Sequence, residues 1–393
     1  MGSREQDLRS GERLGREGEL TRVTMLAGIR VIELGTTITA PLAAMLLADL
    51  GADVVKVERP EGDPFRNFRG TKYGPHFAAY NRGKRSVTID LGVDDGRAQF
   101  ESLLAGADVL IDNVRPGVLD RLGFEPTALR ERYPQLIHCS ITGFGATGPD
   151  RDRPAFDGVA QAVSGISSLF LDPELPRVTG PTVSDNVTGM YACYGVLGAL
   201  FERTRTGRGR RLEVNMLEAS IAFVPDAFAS VTQLGMAIDS LTRVSASQSY
   251  AFRCADGRLL AIHLSSLEKF WLGLTEALEA PELAADARFA QRMNRVEHYE
   301  VLRDELERRF AQRPRAAWLE RLANADVPFA PVNTIAEAMA NPQAVALGTF
   351  GTVTHPEHGE LTIVHNPVHA DGHRLTSTLP PPALGEHTPE LIA

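Results

Sequence analysis

Cysteine is scarce in this chain, and its spacing excludes two common structural devices. The three cysteines, Cys139, Cys193 and Cys254, lie far apart in the 393 residues. An odd number of widely separated thiols makes neither a disulfide framework nor the paired spacing of a zinc site. The sequence therefore predicts a protein of the reducing cytoplasm, with no metal site.

Long hydrophobic runs are also missing. The longest apolar stretch, roughly residues 190–201, is shorter than the about 20 residues that a helix needs to cross a bilayer. The first 24 residues are polar, carry charges of both signs and contain no apolar segment typical of secretory signals. We predict that residues 1–24 form a disordered leader and that folded structure begins at Met25.

Lysine is rare and unevenly distributed. The chain carries 41 lysines and arginines against 50 acidic residues, a net charge of −9, which argues against a general nucleic-acid binder. Of its four lysines, three lie between residues 56 and 84, together with Arg59, Arg66, Arg69, Arg82 and Arg85. This local excess of positive charge indicates either an anion site for phosphates or an ordinary solvated segment.

Short apolar strands alternate with helices in the first half of the chain. Strands are predicted over residues 31–34, 54–57, 109–111 and 136–141, and helices over 41–50, 96–105 and 119–132. This alternation is typical of a parallel sheet covered on both faces, and therefore of the α/β class. A long helix begins at Asp185 and ends at the TGRG run of residues 206–209, and a further strand and helix follow it.

The composition changes beyond residue 235. Residues 248–264 predict a hairpin that turns at Asp256 and Gly257, and residues 267–324 are mostly helical and charged. The tail from residue 332 mixes helix with loop. We therefore predict a second, smaller domain at roughly residues 240–330.

Two further sequence patterns, a glycine motif and a group of histidines, do not predict a nucleotide or metal site. Residues 143–148 match the G-x-G-x-x-G of dinucleotide-binding loops. A proline-containing run follows where that motif must open a helix, so we interpret the match as a backbone turn. His365 and His369 have i,i+4 spacing, but Pro367 between them excludes a regular helix face and no carboxylate completes a metal motif. We interpret the late histidines as surface-loop residues: His355, His358, His365, His369, His373 and His387.

Asp185 stands where the long helix begins, and two interpretations of it stay open. The helix dipole favours a carboxylate in a first helical turn, so a simple capping role is common at this position. The alternative is a carboxylate nucleophile that attacks an activated acyl group. Composition and spacing do not separate the two interpretations.

Several motifs, in order along the chain, resemble one known family. They are LAGIRVIELG at 26–35, ADLGADVVKVERP at 48–60, NRGKRSVTIDL at 81–91, DNVRPG at 112–117, LGF at 122–124, SITGFG at 140–145, TGRG at 206–209 and GEHT at 385–388. In these motifs the chain is similar to class III CoA-transferases, the family of formyl-CoA transferase and carnitine CoA-transferase. The resemblance covers about residues 25–393 and is weakest in the middle.

The resemblance implies a Rossmann-like large domain that takes both chain ends, first over residues 25–220 and again, after a return linker, within 331–393. A linker over 221–239 would lead to the smaller α+β domain, and two subunits would interlock into a homodimer. The implied substrates are an acyl-CoA and a small carboxylic acid. No permanently bound cofactor, nucleic acid or membrane is implied.

For Asp185 the resemblance implies a catalytic role. Its carboxylate would attack the donor thioester, giving an aspartyl mixed anhydride and then an aspartyl-CoA thioester that the acceptor acid resolves. The residues matched to CoA contacts are Thr37, Ile38, Thr39, Arg59, Lys84, Arg85, Asn113, Val114, Arg121, Thr142 and Phe144. Ile38 and Thr142 stand in place of a glutamine and a lysine of the formyl-CoA enzyme, and its glycine-rich flap has only a loose counterpart at 245–249.

Two alternatives share this fold. In α-methylacyl-CoA racemase a histidine precedes the aspartate that Asp157 matches, whereas here Phe156 takes that place. Phenylalanine cannot transfer the second proton that racemisation needs. A non-catalytic CoA-binding protein is the other alternative, since fold alone does not fix function, but retention of Asp185 argues against it.

Overall fold

The first half of the protein alternates strands and helices, as predicted. The computed structural model describes residues 25–68, 70, 73–172 and 174–392, so the leader predicted over 1–24 lies outside the described residues. The elements are β1 (Arg30–Leu34), α1 (Thr39–Asp49), β2 (Asp53–Glu58), α2 (Pro75–Asn81), β3 (Lys84–Thr88), α3 (Asp94–Ala105), β4 (Val109–Asp112), α4 (Val118–Arg121), α5 (Pro126–Arg132), β5 (Ile137–Thr142), α6 (Asp157–Val163), α7 (Val183–Thr206), β6 (Arg211–Asn215), α8 (Met216–Phe223) and α9 (Pro225–Leu234).

The six strands form one parallel sheet in the order β3-β2-β1-β4-β5-β6. This confirms the predicted α/β class with a Rossmann-like sheet. The strand order reverses between β1 and β4, which are hydrogen-bonded neighbours. In open parallel sheets the loops that leave the carboxyl ends of two such strands diverge, and the crevice between them is the usual ligand site.

The sheet is buried on both faces because alternate residues of each strand point to opposite sides. One face packs Val31, Val54 and Val109 against α1 and α7. The other face packs Ile32 and Val55 against α3 and neighbouring segments. Both layers therefore hold β1 and β4 rigidly beneath the crevice.

Two details of this half differ from the prediction. Strand β3 was not expected, because its first two residues are Lys84 and Arg85 and Val87 is the only apolar residue among its five. The helix predicted over 119–132 is two helices, since Gly123 takes a φ of +89° and Pro126 starts a new helix. The long helix begins two residues before Asp185 and ends, as predicted, at Gly207 with a φ of +64°.

A second hydrophobic core lies further along the chain. The hairpin predicted over 248–264 is confirmed, and a third strand joins its second one in an antiparallel sheet. Helices cover one face of this sheet around the buried Trp271 and Phe310. The elements are α10 (Thr242–Ala246), β7 (Ser249–Arg253), β8 (Leu259–His263), α11 (Glu268–Ala277), α12 (Pro281–Ala285), α13 (Arg292–Glu297), α14 (Tyr299–Phe310), α15 (Arg315–Asn324) and β9 (Phe329–Pro331).

The tail contains a hairpin where only helix and loop were predicted. Its elements are α16 (Ile335–Met339), α17 (Pro342–Ala346), β10 (Phe350–His355), β11 (Gly359–Val364), β12 (His369–Ala370), β13 (His373–Arg374) and α18 (Thr388–Leu391). The chain then returns to the large sheet, where the His387 N–H donates to the Ser86 carbonyl of β3 at 2.9 Å. Among the helices of the described residues, none combines the length and apolarity needed to cross a membrane.

Candidate active site

The loop between β1 and α1, residues 35–38, lies at the point where the strand order reverses. Its Thr36 N–H donates to Asn113 Oδ1 at 2.9 Å, and Asn113 Nδ2 donates back to the Thr36 carbonyl at 2.8 Å. The same amide nitrogen reaches Thr39 Oγ1 at 3.0 Å. Because Asn113 follows β4 directly, the structure joins two of the loops predicted to contact CoA at the carboxyl edge of the sheet.

Thr37 has an unusual backbone conformation in this loop. Its φ is +64°, in the left-handed region that residues with a Cβ rarely adopt. The Thr37 N–H points to the carboxylate of Asp63, with its nitrogen 3.2 Å from Oδ2. Side chains from two other loops therefore hold this loop on both sides.

Helix α7 brings Asp185 to the same region. A Cβ on Gly189 would lie 2.8 Å from the Thr39 carbonyl oxygen and 3.0 Å from Leu42, so only glycine lets α7 pack this closely on α1. Asp185 precedes Gly189 by four residues and therefore shares its face of the helix, about 6 Å further toward the N-terminus. This face is directed at the start of α1.

A second carboxylate accompanies Asp185. The Asp185 N–H donates to Asp157 Oδ1 at 3.1 Å, and Gln161 Nε2 donates to Asp157 Oδ2 at 2.5 Å. Burial, followed by the negative charge of Asp157, raises the pKa of the half-buried Asp185 to about 7. Asp157 was not among the predicted catalytic residues. The signal available for it in the sequence was its match to the family's aspartate.

Cationic side chains are available near this edge for an anionic ligand. Arg59 follows β2, and its side chain is 61% exposed; its Nε donates to the Gly62 carbonyl at 3.2 Å and lies 3.6 Å from the exposed Glu61 carboxylate. Arg121 is exposed at the end of the short helix α4. Thr142 closes β5, and its hydroxyl accepts the Gly145 N–H at 2.9 Å, which fixes the turn of the glycine motif.

Two of the cations expected at the CoA phosphates have other partners. The Lys84 ammonium is fully buried and donates to Glu33 Oε2 at 2.7 Å, the Pro41 carbonyl and Asn81 Oδ1. It therefore cannot reach a phosphate that binds from solvent. Arg85 pairs with Asp53 at the first residue of β2, and with Glu390. Its guanidinium lies at the amino edge of the sheet, opposite the crevice.

Three other expected contacts are mainly packing residues. Ile38 is buried with 5% exposure, and Phe144 is buried with 9%. Val114 packs, partly buried, on the core beneath β4. Their side chains therefore contribute to packing rather than offering polar groups to CoA.

Known proteins are similar in sequence to this chain. The model of CoA-transferase family III matches residues 26–388. The acetyl-CoA:oxalate CoA-transferase of Acetobacter aceti is 34% identical over 361 residues, 88% of this chain and 89% of that protein. The succinyl-CoA–L-malate CoA-transferase beta subunit of Chloroflexus aurantiacus is 35% identical over 387 residues, covering 95% and 94%.

A solved structure agrees with these relatives. The crystal structure of a CaiB/BaiF family protein from Brucella suis matches with a TM-score of 0.84 and 32% identity, over 94% of this chain and 98% of that one. The agreement extends over both hydrophobic cores, because so little of either chain is left out. The protein therefore belongs to CoA-transferase family III and is a CoA-transferase.

Proposed function

We propose that the enzyme moves CoA from an acyl-CoA thioester to a free carboxylic acid through covalent intermediates on Asp185. The observation that carries this proposal is the position of Asp185, half-buried in the first turn of α7, on the face that packs against the start of α1. Helix α1 follows directly on the loop at the strand-order reversal. A carboxylate there meets a ligand in the crevice with its charge poorly solvated. Poor solvation leaves its oxygen a better nucleophile than an exposed carboxylate.

The reaction has four balanced steps. Asp185 attacks the acyl carbonyl of the donor, the C–S bond breaks, and the products are an aspartyl-acyl anhydride and CoA thiolate. The thiolate attacks the aspartyl carbonyl, which releases the donor acid and leaves an aspartyl-CoA thioester. The acceptor carboxylate attacks that thioester and expels the thiolate again, and the thiolate then takes the acceptor acyl group from the second anhydride, which restores the Asp185 carboxylate.

Different residues of the crevice contact different parts of the substrate. Arg59 and Arg121, both exposed, attract the phosphates of CoA. The backbone of Thr37, Ile38 and Thr39 lines the path of the pantetheine toward Asp185. The N-terminus of α7 adds its positive dipole end, which stabilises negative charge that develops at the aspartyl carbonyl.

We propose a small dicarboxylic acid as the acceptor and acetyl-CoA or succinyl-CoA as the donor. The proposal rests on the two curated relatives, whose names give oxalate and L-malate as acids and acetyl-CoA and succinyl-CoA as thioesters. Ile38, which is apolar and buried, indicates that the acid is bound differently from the acid of formyl-CoA transferase.

The racemase alternative is weaker because a second proton-transfer group is missing from the place where it is needed. Phe156 is 74% exposed and cannot titrate. Its neighbour Asp157 has both carboxylate oxygens occupied, one by the Asp185 N–H and one by Gln161. Incubation with a chiral 2-methylacyl-CoA in deuterated water is therefore expected to leave the α-carbon unlabelled.

We further propose that two chains form an interlocked homodimer in the cytoplasm. Helix α9 contains no buried residue. Its apolar side chains Phe228, Val231 and Leu234 are 38, 48 and 71% exposed. An apolar helix face of this kind is typical of a surface covered by another chain. The three cysteines are buried and unpaired, as suits a reducing compartment.

A matrix of donors and acceptors tests the activity. The wild-type enzyme is expected to exchange CoA between succinyl-CoA or acetyl-CoA and at least one of oxalate, L-malate and glutarate. Asp185→Ala should lower the exchange rate at least about 1,000-fold, because the nucleophile is lost. The control is Glu300→Gln, which removes an exposed first-turn acid from α14. Undiminished exchange in Asp185→Ala would refute the proposal.

A further inference from the structure

Two buried lysines, Lys56 and Lys84, hold the backbone of the loop of residues 35–38 and of the helix turn that follows it. Lys56 Nζ lies 2.8 Å from Glu33 Oε1, 2.8 Å from the Gly35 carbonyl oxygen and 3.0 Å from Asp63 Oδ2. The other oxygen of Glu33 accepts from Lys84, which also donates to the Pro41 carbonyl at 2.8 Å. The side chains of all four charged residues have no exposed surface.

This network reaches the loop at two points and the first turn of α1 at a third. Lys56 holds the Gly35 carbonyl, Asp63 accepts the Thr37 N–H, and Lys84 holds Pro41 in the first turn of α1. Asp63 also accepts the Phe65 N–H at 2.9 Å, which fixes the carboxylate itself. The polar backbone groups of the loop are thus bonded to buried charges as well as to Asn113.

The middle residue of the loop needs such support. A non-glycine residue at a φ of +64° carries conformational strain, which persists only where the surroundings impose the conformation. Here the imposing group is Asp63, oriented by Lys56. With two positive and two negative side chains, the network is neutral, so removing one charge leaves another buried without compensation.

We propose that Lys56 and Asp63 are positioning residues of the CoA-transfer site, which hold the strained Thr37 so that the loop faces Asp185. This inference rests on the proposed function for its catalytic consequence. The buried charges then do more than stabilise the fold, because Lys56 and Asp63 are hydrogen-bonded to the backbone of the loop that leads into α1, the helix on which α7 packs. Neither residue touches the reacting atoms, and both act through the loop.

Asp63→Asn tests the inference, because it keeps the shape and the acceptor but removes the attraction to Lys56. We expect kcat for CoA exchange to fall about tenfold to 100-fold, since small misplacements of a catalytic loop have effects of that size. The KM for acyl-CoA should change less than about threefold, because the phosphates bind elsewhere. The control is Asp53→Asn, which breaks ion pairs at the opposite edge of the sheet.

Hydrogen exchange of the backbone amides provides a readout that does not depend on activity. In Asp63→Asn, amides of residues 36–39 should exchange at least about tenfold faster, while those of β1 and α7 keep their wild-type rates. Slow exchange in the loop, or an unchanged kcat in a folded Asp63→Asn enzyme, would overturn the inference. An inactive wild-type enzyme would instead refute the proposed function, and the exchange rates would still decide the positioning role.

A second variant covers the case in which Asp63→Asn fails to fold. Thr37→Pro fixes φ near about −65°, which excludes the observed conformation, and it removes the N–H that Asp63 accepts. Since Thr37 is only half-buried, this enzyme should fold with a kcat lowered as in Asp63→Asn. The matched control is Asp371→Pro, which excludes positive φ at an exposed residue between β12 and β13, outside the site, and should keep kcat within about threefold of wild type. Equal losses of activity in the two proline variants would contradict the inference.

Discussion

Asp185 differs from an ordinary first-turn acid in what surrounds its side chain. An acid that caps a helix accepts N–H groups, which lower its pKa. Here burial and Asp157 raise the pKa of Asp185 to about 7, with no hydrogen bond from the described residues to offset them. The environment thus favours the nucleophile over the capping role, a distinction that depends on tertiary contacts and could not be read from the sequence.

The raised pKa predicts a pH profile. Only the ionised Asp185 can attack, so kcat/KM should fall about tenfold per pH unit below a midpoint near 7. Asp157→Asn should move this midpoint downward, because it removes the like charge and keeps an oxygen for the Asp185 N–H. Initial rates between pH 5 and 9, with circular dichroism as a control for folding, provide the measurement. A midpoint below 5 in the wild-type enzyme would contradict the assigned environment.

The elements that position the site were partly predictable. The long helix, the strands β1, β4 and β5 and the hairpin of β7 and β8 follow from hydrophobic periodicity and from glycine stops. Strand β3 was missed because Lys84 and Arg85 are charged, and hydrophobic periodicity identifies only apolar residues as buried. Ion pairs with Glu33 and Asp53 allow the two side chains to lie in the sheet. The hairpin of β10 and β11 was missed although Val353 and Ile363 alternate with polar residues.

The close contact between α1 and α7 predicts that a methyl group added at Gly189 lowers both stability and activity. Gly189→Ala places a Cβ 2.8 Å from the Thr39 carbonyl oxygen, so α7 must move away from the loop that faces Asp185. We expect a loss of about 1–3 kcal/mol in stability, measured by chemical denaturation, and at least tenfold in kcat. In Gly195→Ala, which meets only Leu212 at an ordinary 3.7 Å, helix stability should rise instead. Equal behaviour of the two variants would refute the close-packing argument.

For the whole molecule, the strand order is the feature on which the place of the proposed site depends. The reversal between β1 and β4 was not visible in the sequence, because periodicity finds strands without giving their order. Once the order is known, the loops after β1 and β4 and the N-terminus of α7 must meet at one edge. The same order explains why Arg85 lies outside the site, since Asp53 holds it at the amino edge of the sheet.

The exposed face of α9 predicts a dimer in solution. Light scattering should give twice the 42.7 kDa of one chain. The double variant Val231→Asp with Leu234→Asp should dissociate this dimer, because it places two charges in an apolar interface. Leu272→Asp changes a leucine that is 53% exposed on α11, outside that face, and should leave the mass unchanged. A monomeric wild-type protein at micromolar concentration would contradict the dimer.

The most direct measurement of the central claim is chemical trapping of the aspartyl intermediate. The enzyme is incubated with succinyl-CoA without acceptor, treated with hydroxylamine, digested and analysed by mass spectrometry. A hydroxamate on Asp185, absent from the Asn variant at this position and from enzyme without thioester, is the predicted result. Rapid CoA exchange with an unmodified Asp185, or with the hydroxamate on another carboxylate such as Asp157, would contradict the account.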